Sequence, residues 1–146
     1  MGDTMKTNKE MLSSILKTTQ MGQVGIRSVL DASTKPDLRK ALQSQLREYD
    51  TIESEAHSIA SERGWELPEL NPGIRFMSDM MARMKLSMEH TDSQIAGMMI
   101  QGNTRGIITG LKNQHHFSGQ DGRINALAQK LLDREDENIR QMQKFL

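Results

Sequence analysis

Glu53, His57, Glu135 and Asn138 are the side chains from which chemistry is most readily assembled in this chain. Glu53 and His57 are four residues apart, a spacing that sets them on neighbouring turns of one helix. A carboxylate and an imidazole so placed suit a metal ion or an acid–base pair, and equally an ordinary surface hydrogen bond. Glu135 and Asn138 fall on a stripe of otherwise apolar residues, and so do Gln20, Gln23 and Thr91. Polar groups on apolar stripes are where helical proteins turn ligands inward. His115 and His116 are adjacent, so on a helix they point about 100° apart and suit a solvated helix end, where imidazole meets the negative pole of the helix dipole. His90 beside Glu89 reads as a surface pair. There is no Gly-rich phosphate loop, no nucleophile elbow and no His-Glu-x-x-His.

Helices must position these groups. Only 3 prolines interrupt a chain rich in Leu, Met, Gln, Lys and Glu, and the apolar residues repeat every three or four positions. A first helix is expected over 9–30, with Leu12, Leu16, Ile26 and Leu30 on one face and Thr19 and Gln23 in its middle. A second is expected over 36–63, opening at Pro36, closing at Gly64 and burying Leu38, Leu42, Leu46, Tyr49, Ile52, Ala56, Ile59 and Ala60. A third is expected over 72–116, with Asn71 as cap and with Ile74, Met77, Met81, Met84, Met88, Thr91, Ile95 and Met98 on its seam. It should kink at Gly102-Asn103-Thr104. The row Gly102, Gly106, Gly110 lets another backbone come close, either within the monomer or across a two-fold contact. A fourth helix, over 121–146 and capped by Ser118 or Asp121, buries Ile124, Leu127, Ala128, Leu131, Glu135, Ile139, Met142 and Leu146. Short connections between four such helices make residues 1–146 one all-α domain, an antiparallel four-helix bundle with a long kinked third helix.

The 19 basic and 19 acidic residues cancel, which leaves no excess charge for a phosphate backbone, and one Tyr and one Trp offer little base stacking. No nucleic acid is expected as a partner. No run approaches the ~18 apolar residues of a membrane span, and the first residues lack the apolar core of a secretory signal, so a cytoplasmic protein without membrane attachment is expected. Without cysteine there is no disulfide, thiolate site or thiol nucleophile. The 12 methionines are read as an adaptable core, with Met80 and Met99 off the seam and marking a patch if exposed.

Two stretches carry a family resemblance. The run 135–146, beginning Glu135-Asp136-Glu137-Asn138-Ile139, resembles the last helix of rubrerythrin-type ferritin-like proteins, where Glu-x-x-His precedes apolar residues at matching offsets. Asn138 stands at the histidine's place. Lys35-Pro36-Asp37-Leu38-Arg39 and Arg63-Gly64-Trp65 resemble the first helix pair of spore-coat-F-type ferritin-like proteins, with Glu66 where a tyrosine is usual. The resemblance implies a ferritin-like fold and, in intact members, a di-iron centre of four carboxylates and two imidazoles. This chain departs from that set. The first helix offers Gln20 and Gln23 for a glutamate, Glu53 is followed by Ala56 and Glu48 by Thr51 where Glu-x-x-His is needed, and the third helix carries Met88 and Thr91 with Glu89 and Asp92 one step off the seam.

The expectation is therefore a non-catalytic ferritin-like bundle with a degraded di-metal site and no cofactor. Its role would be structural or in protein interaction, as a homodimer or with another protein, and related to spore coats. The alternative is an iron-binding or other metal-binding oxidoreductase or storage protein that uses Glu53, His57 and Glu135. A third reading holds a small apolar molecule in the methionine-rich interior.

Overall fold

The computed structural model describes residues 5–33, 35–74, 80 and 91–146. These residues are all-helical apart from connections and an isolated bridge between Lys6 and Phe117. Four long helices stand out among them: α1 (Asn8–Leu30), α2 (Pro36–Glu62), α3 (Asp92–His115) and α4 (Gly122–Gln143). None is long and apolar enough to cross a membrane.

Each helix end has a local cause. Thr7 and Glu10 form a reciprocal capping box at the start of α1, and the bond from the Thr7 backbone N–H holds the Glu10 carboxyl below its usual range. Pro36 occupies the first turn of α2, where a missing N–H costs nothing. Gly64, at φ +66°, closes that helix: its N–H bonds the Ser61 carbonyl at 3.2 Å and the Trp65 N–H bonds the Ala60 carbonyl at 2.9 Å. Asp121 caps α4 by accepting from the Arg123 and Ile124 N–H groups at 3.0 and 3.2 Å, and it pairs with Arg63 across from the end of α2. Partial burial pushes the Asp121 carboxyl up, but those N–H bonds and the Arg63 charge prevail and hold it below its usual value. Ser118 instead ties the chain start to the α3–α4 connection, its N–H donating to the Lys6 carbonyl at 2.9 Å.

The third segment differs from the sequence expectation in two ways. No single helix runs over 72–116: Thr91 is extended (φ −78°, ψ 158°) and its hydroxyl accepts from the Gln94 N–H, so a new helix begins at Asp92. Nor is the chain interrupted at Gly102, where α3 is continuous. Asn103 and Thr104 each return a side-chain bond to the carbonyl four residues back, both at 2.8 Å, and the helix continues through them. With Thr91 a cap rather than a core position, the buried face of α3 is Asp92, Ile95, Ala96, Met99 and Asn103, one residue out of phase with the expected seam. Met98 is only partly buried, Ile74 is exposed, and Leu146, expected on the stripe of the last helix, lies beyond the end of α4 and is exposed. Met80 is 46% exposed, whereas Met99 is buried. Met77, Met81, Met84 and Met88, expected in the core, lie outside the described residues, as do Glu89 and His90.

α1 packs on α2 and α3 on α4, with further contacts of α1 to α3 and of α2 to α4. The core between them contains Leu12, Leu16, Leu38, Leu42, Ile52, Ile59, Ile95, Ile124 and Leu127, all essentially inaccessible to solvent. Removing this apolar surface from water is the main stabilising contribution, roughly 2 kcal/mol for each large side chain. Two of the glycine-row members serve this packing. A Cβ at Gly106 or Gly110 would meet Glu135 or Leu132 of α4 at under 3 Å, so the helices cross closely there, while Gly102 faces open space.

Candidate functional site

The polar residues on the buried stripes separate into two groups. The first lies between α1 and α2. The Gln20 and Gln23 side-chain amides donate to Glu53, each at 3.2 Å, and Gln23 also donates to Asp50 at 2.8 Å. The Gln20 oxygen accepts from the Leu70 backbone N–H at 2.8 Å, which ties the linker after α2 to α1. The oxygens of Glu53 and Asp50 accept in these bonds, and the glutamines present their N–H ends to them. Glu53 is only half-buried, which leaves this group in touch with water.

The second group is buried, and Tyr49 is its hub. The Tyr49 hydroxyl donates to the Asn103 side-chain oxygen at 3.0 Å and accepts from the Asn138 side-chain nitrogen at 3.2 Å. It also meets the Glu135 carboxyl. Glu135 is 2% exposed. Burial pushes its carboxyl up to about 8, against a smaller opposing effect of the Tyr49 hydrogen bond, so it keeps its proton near neutrality. The Tyr49 hydroxyl is raised well above its usual value by burial and then by the nearness of Glu135.

Glycine makes both placements possible. A Cβ at Gly22 would fall 2.5 to 2.9 Å from three Tyr49 ring carbons, and one at Gly106 would fall 2.8 to 2.9 Å from the three terminal atoms of Glu135. The tyrosine ring therefore lies against the backbone of α1, and the carboxyl lies against that of α3. Between α1 and α3 these contacts leave a cavity of about 340 Å³. Met21, Val24, Met98 and Met99 supply apolar lining, while Tyr49, Asn103 and Glu135 supply polar groups.

The three residues considered for a metal do not come together. His57 is exposed, with its ring nitrogen 3.9 Å from Glu69 rather than on Glu53, whose carboxylate is held by the glutamines of α1. Glu135 lines the cavity and Glu53 does not. Among the described residues no three His, Asp or Glu side chains form a group able to hold a metal ion. Nor does the donor set fit a di-iron pair: Gln20, Gln23 and Asn138 direct N–H groups at their partners, where iron requires anionic oxygen or imidazole nitrogen. His115 and His116 pack edge to face with ring centres 5.1 Å apart at the end of α3.

Sequence reasoning singled out Gln20, Gln23, Glu53, Glu135 and Asn138, and placed Tyr49 on the core face of α2. It missed Asn103, assigned to an interruption, and the role of Tyr49 as the hub. A lone buried tyrosine needs a partner for its hydroxyl, which was the available signal. No family model, curated protein or solved structure matches the chain.

Proposed function

We propose that this chain is an antiparallel four-helix bundle of the ferritin-like kind that works without a di-metal centre, as a non-catalytic structural or interaction protein. One observation carries the reading: the polar positions of its core are occupied with one another, Gln20 and Gln23 with Glu53, and Asn138 and Asn103 with Tyr49. These bonds join protein groups to one another without a cation, although the buried Asn138 side-chain oxygen finds no partner among them. Its partner is a second copy of the chain or another protein, reached through exposed apolar side chains such as Ile108 and Leu111 on α3. A cytoplasmic or spore-associated setting belongs to the same reading.

The test is elemental analysis after purification without added metal and after anaerobic loading with Fe(II) and, separately, Zn(II). Metal content near zero and a melting temperature unchanged by EDTA are expected. Near two equivalents of iron, lost in Glu135→Gln, would establish the metal-binding alternative at Glu53, His57 and Glu135 instead.

A further inference from the structure

The cavity between α1 and α3 takes no part in the network's own bonding, yet it has the features of a ligand site. At about 340 Å³ it falls at the low end of small-molecule pockets, and it is roughly twice the ~150 Å³ apolar cavity known to take up benzene. Its exposed lining is mainly apolar, and a carboxyl that is 2% exposed forms part of its wall. We propose that this cavity binds a small neutral molecule with an apolar body and a single hydrogen-bond acceptor, a ketone or an amide, whose acceptor meets the Glu135 carboxyl.

The surroundings of Glu135 favour this class of ligand. The Tyr49 hydroxyl, which also bonds Asn103 and Asn138, is set against Glu135, and its opposing effect is smaller than that of burial. Raised by burial to about 8, Glu135 is a carboxylic acid near neutrality and can offer its own O–H. Among the described residues the charged and titratable groups around it are few. From α2 comes Tyr49; from α3, exposed Arg105 at the cavity lining; from α4, Arg134, which acts on Tyr49 and pairs with Glu48. α1 contributes no titratable side chain to the lining. Gly25 and Gly102 also line the cavity, and a Cβ at either meets nothing within 4 Å, so larger residues there would enter the space without displacing a neighbour at their first atom.

Three probes of equal size test the proposal: methyl naphthyl ketone, isopropylnaphthalene and naphthylethylamine, titrated into the full chain while methionine methyl resonances are followed by NMR. At neutral pH the ketone should bind saturably, shift Met21, Met98 or Met99, and bind about threefold to tenfold more tightly than the hydrocarbon, the worth of one hydrogen bond. Gly25→Leu and Gly102→Leu should each weaken it at least about tenfold, with helical circular dichroism retained. At about pH 9.5, where Glu135 is ionised, the ketone's advantage should vanish. Absence of saturable ketone binding, or binding unaffected by both leucine variants, overturns the site. Equal affinity for ketone and hydrocarbon at neutral pH, or tightest binding of the amine, overturns the ligand class.

Discussion

Glu53 and Glu135 are the same side chain on facing helices, α2 and α4, but their surroundings treat them in opposite ways. Glu53 stays half-exposed and accepts N–H bonds from two glutamines, so both amide groups and water reach it. Glu135 is withdrawn from water, and the Tyr49 hydroxyl beside it offsets that burial only in part, so it keeps its proton near neutrality. Burial, rather than residue identity, sets the proton affinity of Glu135.

The contrast is broken most severely at Glu135. The folded chain holds its proton up to about pH 8, whereas an unfolded chain releases it near the ordinary 4.5, so between these values the folded state binds more protons. Stability should therefore fall as pH rises through that interval and level off above it. Glu135→Gln removes the titration. Its melting temperature should exceed that of the parent above pH 8, by the equivalent of on the order of a few kcal/mol, and the gain should disappear below about pH 4.5. Calorimetry across that range checks it, and a pH-independent difference would refute the burial argument.

Tyr49→Phe sharpens the comparison at the hub. It strips one oxygen and leaves buried groups of Asn103 and Asn138 without a partner, at a cost of about 1–3 kcal/mol read from urea denaturation. The smallest effect belongs to the wet side. Gln23→Ala deletes N–H bonds to Glu53 and Asp50, which water can replace, so a loss of less than about 1 kcal/mol is expected in the same assay. A larger loss there than at Tyr49 would reverse the assignment of the two regions.

The same difference explains what could be read from the sequence. Pro36, Gly64 and Asp121 mark helix ends because their chemistry is local, and the stripes of α1, α2 and α4 follow from helical period alone. Thr91 was hidden by that very periodicity: it falls three residues after Met88 and four before Ile95, so it reads as a core position although its hydroxyl caps a helix. Gln20, Gln23, Glu135 and Asn138 stood out as polar residues on apolar faces. Which of them would share a network was not legible, because Tyr49 and Asn138 are 89 residues apart and meet only through the crossing of α2 and α4. A cavity leaves no residue type of its own to be noticed.

The seat of Glu135 on the Gly106 backbone also has a hereditary side. A methyl group at position 106 would meet the end of the Glu135 side chain, which would have to shift from its buried seat, so the two positions are coupled. Gly106→Ala should be harmful while Glu135 is present and nearly neutral once Glu135→Ala has made room, a non-additivity readable in a double-mutant cycle. In any lineage descended from this chain, the glycine at position 106 of α3 and the buried acid of α4 should tend to change together.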